Sequence, residues 1–408
     1  MPFSAAERGR VAELVRASRD VIAASAFPNG ALVAANSGLS VYPKDCQDYL
    51  AVWPRDAAYI AMAADCLGMR DIPRRFFSWC VERAEGFRET GIFHTAYHVN
   101  GTVGGTGLNR EELHLAPELE RSFLHIGGTC SQFQPDQNGS VIIAAAEHCR
   151  RWNLAPEGSL AELVSTAADG LVSHWDASLG RAGGFTLPHY DCWEERAAQP
   201  GEHHLYSLAM CIRAMDLAAE MLPAHQNVPD WRELSAGMRR MFGLAYASGS
   251  GPLPRTYPET SQYRHAHAAG DVSSLTDSSL LGLVWPAQLL PPDDARMSPT
   301  LESIFRECGR DGGLVRYPGD VYCGGMGHGT PTFTGAGPWP LLSCFAAIVL
   351  EEAGQHPHAM EQLRFVLRSA EPTWPYLPEQ AHGKPSITPL AWSHAMLILA
   401  LERTTNLK

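Results

Sequence analysis

The sequence predicts an all-α fold in which twelve helices pair into hairpins and close into a ring of six inner and six outer helices. Apolar residues recur at helical spacing in about twelve segments, whereas strand-like alternation is scarce. The connections alternate between short and long, as they do in a succession of helical hairpins. The predicted helices are 6–26, 56–69, 72–88, 138–153, 158–177, 203–222, 229–246, 274–288, 293–308, 338–354, 357–370 and 388–404.

Helix start signals support these boundaries. Asp71 stands before Ile72 and Pro73, and Asn138 stands before its apolar run. The connections after the third, fifth, seventh, ninth and eleventh segments are mostly long and rich in Gly, Pro and aromatic residues. In a ring of hairpins these long loops gather where the inner helices begin, and helix N-termini supply free N–H groups and partial positive charge there. Because no Ser/Gly linker or low-complexity tract divides the chain, we predict one domain over residues 1–408.

Composition argues against several classes of function. The net charge of −12 is unsuited to a phosphate-backbone partner, which binds a basic surface. No apolar run is long enough to span a bilayer, and the N-terminus lacks the basic start and apolar stretch of a signal peptide. The ten cysteines are scattered without a C-x-x-C pair, which is typical of reduced thiols. We therefore expect a cytoplasmic protein that binds neither nucleic acid nor membrane; the oligomeric state stays open.

Chemically distinctive residues fall in the loop before, or the first turn of, each predicted inner helix. The candidates are Trp53, Arg55, Asp56, Gln134, Asp136, Trp193, Glu194, Glu195, Asp277, Arg316, Asp320, Tyr322, Trp339 and Glu379. Carboxylates and arginines bind hydroxyl groups, and aromatic faces pack against the C–H face of a sugar ring. A phosphate substrate would call for more cations. The set therefore favours a neutral polyol as the ligand.

Six motifs, in one order along most of the chain, resemble glycoside hydrolase family 15, the glucoamylases and their bacterial relatives. They are Trp-Pro-Arg-Asp at 53–56, Gln-Pro-Asp-Gln-Asn-Gly at 134–139, Asp-Cys-Trp-Glu-Glu at 191–195, Arg-Tyr-Pro-Gly-Asp-Val-Tyr at 316–322, Pro-Trp-Pro-Leu-Leu at 338–342, and Pro-Glu-Gln at 378–380 before Pro-Leu-Ala-Trp-Ser at 389–393. Each motif alone has little specificity, whereas the ordered set is highly specific. The resemblance implies an (α/α)6 barrel and an exo-acting inverting α-glucosidase. Such an enzyme releases β-glucose from the non-reducing end of short α-gluco-oligosaccharides and uses no cofactor.

The resemblance also implies a role for each carboxylate. It identifies Glu194 as the general acid and Glu379 as the general base. An inverting hydrolase holds two such groups roughly 6.5–9.5 Å apart, with a water between the base and the sugar. We expect Trp193 and Glu195 to raise the pKa of Glu194, and we expect a wetter, hydrogen-bonded setting that keeps Glu379 ionised.

The remaining roles concern binding. By the same resemblance, Arg55 and Asp56 hold hydroxyls of the terminal sugar, and Arg316 binds sugar hydroxyls beside the acid. Glu195 contacts the next sugar, and Trp193 is the aromatic residue beside the catalytic site.

Two loops depart from the family pattern and leave the linkage open. Residues 197–202 separate the acid from its helix, and 324–337 form a long Gly-rich insertion. Both would shape the sites beyond the first sugar. An α-1,6-specific glucosidase acting on isomaltose or dextran, and a trehalase, are therefore alternatives within the family. A transferase, or a non-enzymatic sugar-binding protein on the same scaffold, is an alternative outside it.

Some residues have a simpler structural explanation. His94 and His98 are spaced i, i+4, and His265 and His267 lie close together, but a metal site needs further ligands that the pattern does not supply. We therefore predict no metal site. Trp392 lies in an apolar helical run, where a core position is the better interpretation.

Overall fold

A computed structural model gives the fold and describes residues 2–44, 46–104, 132–198, 201–246, 251–258, 276–320, 322, 336–381 and 386–405. The α-helices in these ranges are α1 (Ala5–Ser25), α2 (Pro54–Cys66), α3 (Asp71–Glu82), α4 (Phe87–Thr90), α5 (Pro135–Trp152), α6 (Ser159–Ser173), α7 (Leu205–Met221), α8 (Val228–Tyr246), α9 (Met297–Glu307), α10 (Pro340–Glu352), α11 (His356–Ser369) and α12 (Ala391–Thr405). Two 3-10 helices cover Ser278–Leu283 and Glu371–Thr373.

An inner ring organises these helices. Helix α2 packs on α5, α5 on α7, and α7 on the 3-10 helix at Ser278–Leu283. That 3-10 helix packs on α10, α10 on α12, and α12 returns to α2, so the ring closes. The predicted all-α (α/α)6 barrel is thereby confirmed.

The burial patterns of the helices separate the inner ring from the outer layer. Helix α2 is buried along nearly its whole length, from Pro54 to Asp65. The outer helix α8 instead buries one stripe that includes Trp231, Leu234 and Met238. An outer helix contacts the barrel on one face only, so helical spacing of its apolar residues suffices. An inner helix contacts neighbours all round, which explains why its sequence is more uniformly apolar.

The eighth predicted helix, 274–288, is wrong in type and length. Residues 274 and 275 lie outside the described ranges, and within 276–288 the helical part is the short 3-10 helix Ser278–Leu283. Pro286 has no N–H to donate and disfavours the helical conformation at Trp285. The segment therefore does not form a regular α-helix, although its apolar residues have helical spacing.

Short antiparallel strand pairs form in the loops between the helices. They are β1 (Trp175–Asp176) with β2 (Gly184–Phe185), β3 (His189–Tyr190) with β4 (Ala197–Ala198), β5 (His203–His204) with β6 (Thr256–Tyr257), and β7 (Gly309–Arg310) with β8 (Gly313–Leu314). Residues 175–176 and 203–204 were predicted as helix ends, and both are strands. None of the helices in the described ranges is long and apolar enough to cross a membrane.

Candidate active site

A pocket of about 100 Å³ opens where the inner helices begin. It is lined by Tyr49, Trp53, Arg55, Asp56, Cys192, Trp193, Glu194, Glu195, Arg316, Tyr322, Trp339, Glu379, Leu390 and Trp392. The first turns of α2 and α12, the loop before α10 and the β3–β4 turn all contribute to its wall. Most of the residues that the sequence singled out therefore meet at one mouth.

The turn between β3 and β4 carries two adjacent carboxylates and points them in different directions. Asp191 Oδ1 accepts hydrogen bonds from the backbone N–H groups of Trp193 and Glu195, at 3.2 and 3.0 Å. Glu194 has a left-handed backbone, with φ of 65°. Positive φ is uncommon for residues other than glycine and often marks a functional turn. As a result Glu194 faces Arg55, whereas Glu195 faces Arg316.

Glu194 is a carboxyl group that stays protonated more readily than usual. Its Oε1 lies 3.3 Å from Arg55 Nη2, and its side chain is 27% exposed, enough to meet a ligand. Burial raises the pKa of Glu194 to about 7; the guanidinium of Arg55 opposes this shift, and Asp56 adds to it. The expected rise in this pKa is therefore present, but it comes mainly from burial, and the acidic neighbours that add to it are Asp56 and Asp136 rather than Glu195.

Glu195 belongs to a second group of charges. Its Oε1 lies 2.6 Å from Arg316 Nη2, and the Tyr317 hydroxyl donates a hydrogen bond to its Oε2. Burial raises the pKa of Glu195 above its ordinary value, against the opposing charge of Arg316. The adjacent pair in the sequence is thus divided between two arginines.

Arg55 is fixed from behind by residues that do not reach the pocket surface. Its Nη1 donates to Gln134 Oε1 at 2.8 Å and to Asp136 Oδ2 at 3.1 Å, and both partners are fully buried. The guanidinium also lies 5.7 Å from the ring of Trp392. Gln134 and Asp136, which the sequence proposed as substrate-binding, therefore hold Arg55. Trp392 is buried as expected of a core residue, yet it also lines the pocket.

Arg316 is held in a similar way on the other side of the pocket. Asp320 accepts two hydrogen bonds from it, at 2.8 Å from Nε and 2.7 Å from Nη2. The guanidinium lies 5.7 Å from the ring of Trp193, 4.7 Å from that of Tyr322 and 5.5 Å from that of Trp339. This wall pairs one cation with three aromatic faces, and Asp320 supports it from behind.

Glu379 is more deeply buried than the sequence suggested. Only 3% of this residue is exposed. Burial raises its pKa to about 8, while the charge of Arg316 and a hydrogen bond from the Tyr49 hydroxyl lower it. Oxygen Oε2 is buried without a hydrogen-bond partner. The expected wet setting is therefore absent, and the unpartnered oxygen marks where a ligand or a water would bind.

Tyr49 and Arg255 are residues of the site that the sequence did not single out. Tyr49 lines the pocket beside Glu379 and pairs its hydroxyl with that of Tyr322. Arg255 lies behind the wall, 3.0 Å from both Asp191 Oδ2 and Asp277 Oδ2. An aromatic-rich loop before α2 gave a weak signal for Tyr49, whereas nothing near Arg255 in the sequence pointed to it.

Asp277 connects this buried arginine to the pocket wall. Its two oxygens accept from Trp193 Nε1 at 3.0 and 3.1 Å, and it has no exposed surface. Asp277, predicted to bind substrate, is therefore placed behind Trp193. Asp191, Arg255 and Asp277 together orient the turn that carries Glu194.

No group of three or more metal-binding side chains is arranged to hold a metal within the described ranges. His265 and His267 lie outside those ranges. The absence of a metal site stays a prediction.

Glu379→Gln should make the protein more stable at pH 8 even though it removes a site residue. The fold raises the pKa of the Glu379 carboxyl from 4.5 to about 8. The protonated carboxyl therefore contributes stability that is fully present below pH 4.5 and is lost as the pH rises through about 8. A neutral amide avoids this loss, so the free energy of unfolding at pH 8 should rise by on the order of 1–3 kcal/mol. Urea unfolding at pH 5 and pH 8 measures the difference in free energy of unfolding between the variant and wild type. This difference should be smaller at pH 5 than at pH 8.

Exposed Glu361 on α11 supplies the control. Glu361→Gln should leave stability unchanged at both pH values. A Glu379→Gln protein that is no more stable than wild type at pH 8 would show that the buried carboxyl is not costly to ionise.

The chain matches known proteins in sequence. A family model described as Glycosyl hydrolases family 15 matches residues 13–386. An uncharacterised glycosyl hydrolase of Methanocaldococcus jannaschii is 25% identical over 89% of this chain and 52% of its own. An isomaltose glucohydrolase of Kribbella flavida is 29% identical over 66% of this chain and 64% of its own. A trehalase of Mycobacterium tuberculosis is 25% identical over 82% and 46%. The chain thus spans about half to two thirds of the length of these relatives.

Solved structures share the fold. A glycosidase variant in complex with glucose superposes with a TM-score of 0.74 at 22% identity, and both chains are fully covered. A bacterial glucoamylase complexed with acarbose gives a TM-score of 0.67 at 19% identity, covering 96% of this chain and 55% of that one. A glucoamylase of Saccharomycopsis fibuligera gives 0.60 at 13% identity, covering 97% and 96%.

Proposed function

This chain belongs to family 15 of the glycosyl hydrolases and is a glycoside hydrolase, and we propose that it is an exo-acting, inverting α-glucosidase. It removes single glucose units from the non-reducing end of short α-gluco-oligosaccharides or disaccharides and releases β-glucose. The observation that carries this proposal is a small pocket in which two carboxyl groups with raised pKa values, Glu194 and Glu379, share the wall with arginines and aromatic rings.

Glu194 acts as the general acid. Its pKa of about 7 leaves a large protonated fraction near neutral pH, so the group can donate a proton to the departing glycosidic oxygen. Arg55 Nη2, at 3.3 Å, stabilises the carboxylate that this transfer leaves behind. The partial exposure of Glu194 gives the leaving sugar access to it.

Glu379 acts as the general base. Its unpartnered Oε2 is the acceptor for one proton of the attacking water, whose oxygen bonds to the anomeric carbon on the face opposite the leaving group. The positive charge of Arg316 and the hydroxyl of Tyr49 both favour the ionised form of Glu379. The productive enzyme has Glu194 protonated and Glu379 ionised. Because the pKa of Glu379, about 8, lies above that of Glu194, about 7, this form is a minority of the free enzyme, and its share is largest between the two values.

The shape of the pocket favours exo action. Its volume of about 100 Å³ is bounded by side chains from several loops, which suits one terminal sugar rather than a chain threaded through a cleft. Arg55 and Asp56 bind hydroxyls of that sugar. Asp56 Oδ1 is buried without a hydrogen-bond partner, so it is available as an acceptor. Trp53 and Trp339 supply apolar faces for the ring.

Two specificities within the family remain as second candidates. The match to an isomaltose glucohydrolase favours α-1,6 bonds, and the match to a trehalase favours the α,α-1,1 bond. Most of the insertion at 324–337, which the sequence predicts to shape the sites beyond the first sugar, lies outside the described ranges. The three specificities are therefore best separated by experiment.

A panel of maltose, isomaltose, nigerose and trehalose tests the proposal. We expect hydrolysis of at least one disaccharide, with β-glucose as the first product seen by proton NMR before mutarotation. The ranking of kcat/KM values then identifies the linkage. Release of α-glucose would contradict inversion. If the protein binds a disaccharide tightly but hydrolyses none of the four, a sugar-binding protein is favoured.

A further inference from the structure

A second cavity lies at the opposite end of the barrel from the active site. Its wall is formed where the inner helices end, by residues that include Cys66 of α2 and Leu399 of α12. The cavity measures about 30 Å³, and four arginines line it: Arg150, Arg151, Arg213 and Arg403. Nothing in the proposed hydrolysis uses this end of the barrel.

The acidic residues in the same wall are already engaged. Glu147 Oε2 lies 2.6 Å from Arg150 Nη2, and Glu402 accepts a hydrogen bond from Arg151. Asp65 accepts hydrogen bonds from a histidine and a tryptophan of α5, at 2.9 and 2.7 Å. Two of these carboxylates pair with Arg150 and Arg151, and none of the three forms an ion pair with Arg213.

Arg213 and Arg403 are the two arginines of this wall whose N–H groups are least engaged. Within the described part of the chain, half-buried Arg213 has neither a hydrogen bond nor an ion pair. Arg403 Nε is buried and lacks a hydrogen-bond partner. The guanidinium lies 5.1 Å from the ring of Trp285, and its Nη1 forms an ion pair with Glu352 at 3.6 Å. A buried N–H without a partner is costly unless a ligand or water satisfies it.

Helix capping does not explain Arg213. Lysine and arginine often sit in the last turn of a helix, where they offset the partial negative charge of its C-terminus. Arg213 lies in the middle of α7, two turns before Met221. Gln288, also in the cavity wall, has a left-handed backbone with φ of 51°, a conformation that costs energy for a residue other than glycine. Neither the mid-helix position of Arg213 nor the left-handed backbone of Gln288 is expected at an ordinary helix terminus.

We propose that this cavity binds a phosphate group, held by Arg213 and Arg403 with the Gln288 amide as a further donor. Guanidinium forks match the geometry of phosphate oxygens and bind them with strong, charge-assisted hydrogen bonds. A cavity of this size holds about two water molecules, so it admits the oxyanion while any attached organic group stays outside. Bound phosphate bridges α7 and α12 and so stabilises the closed ring.

Thermal unfolding tests this proposal. In a non-phosphate buffer at pH 7, with ionic strength held constant by chloride, inorganic phosphate should raise Tm in a saturable way. The rise should be about 2–4 °C at roughly a hundred times Kd. Glucose 6-phosphate in place of phosphate distinguishes the source of the group: an equal rise indicates a phosphorylated sugar that inserts its phosphate, and no rise indicates the free anion. Both outcomes support the site.

Matched variants locate the effect. Arg213→Met should abolish the saturable rise, whereas Arg74→Met, on the exposed face of α3, should retain it. Arg213→Lys keeps the charge without the fork and should weaken binding about tenfold, which covers the case in which Arg213→Met does not fold. Glu379→Gln should respond to phosphate as wild type does, because the active site is not involved. A wild-type Tm that does not saturate with phosphate, or an Arg213→Lys protein with unchanged affinity, would overturn the proposal.

Discussion

Glu194→Gln and Glu379→Gln should each lower kcat/KM for a disaccharide by about 10²–10⁴-fold, the range expected when a general acid or base is removed. Glu194 lies beside Arg55 and has a raised pKa, so it is placed to donate a proton. Glu379 has an unpartnered oxygen in the same pocket, so it is placed to accept one. Glutamine preserves the shape of each side chain and removes only the proton transfer. Steady-state hydrolysis of the preferred disaccharide measures both losses.

A glucosyl fluoride of the same anomeric configuration separates the two roles. Fluoride leaves without a proton, so the Glu194→Gln enzyme should lose much less activity on this substrate than on the disaccharide. The Glu379→Gln enzyme should be equally impaired on both, because each still needs an activated water. Glu361→Gln serves as the control and should behave as wild type. Full activity of either site variant on the disaccharide would refute the assignment of that residue.

Arg255→Met should reduce the free energy of unfolding by about 3–5 kcal/mol, the cost of leaving buried carboxylates without their cation. Arg255 is 2% exposed and lies 3.0 Å from oxygens of both Asp191 and Asp277. Methionine fills much of the volume but offers no positive charge. The β3–β4 turn depends on Asp191, so activity should fall together with stability. Urea unfolding at pH 7 gives the stability, and kcat/KM gives the activity.

Two comparisons make this result specific. Arg74→Met removes a solvent-exposed ion pair with Asp71 and should cost less than about 1 kcal/mol. Adding Asp277→Asn to Arg255→Met removes one of the stranded charges and should recover part of the lost stability. If Arg255→Met costs no more than Arg74→Met, the buried arginine does not hold the turn.

Much of the fold could be predicted because long helices leave a periodic signal. Eleven predicted segments correspond to α-helices in the described ranges, usually within a few residues at each end. The exception, 274–288, contains Pro286, whose effect on the backbone outweighs the apolar spacing. Two-residue strands such as β1 and β5 were missed because two residues are too few to show alternation.

The site was predictable only where its residues stand in recognisable motifs. Arg55 and Glu194 could be singled out in this way. Arg255 could not, because its partners are 64 and 22 positions away and their proximity arises from tertiary packing. Burial is likewise a tertiary property, which is why Glu379 was expected in a wet environment and is found buried. For the same reason, the sequence could not show which candidates line the pocket and which lie behind its wall.

Closure of the inner ring has a consequence for how the chain acquires its structure. Helix α2 ends at Cys66 and its neighbour α12 begins at Ala391, 325 positions later. Contacts between residues so far apart carry a large loop-closure entropy and slow folding. One flank of α2 therefore stays uncovered during synthesis until residues 391–405 have emerged. We expect pulse-labelling hydrogen exchange during refolding to show the amides of α2 protected late, together with those of α12.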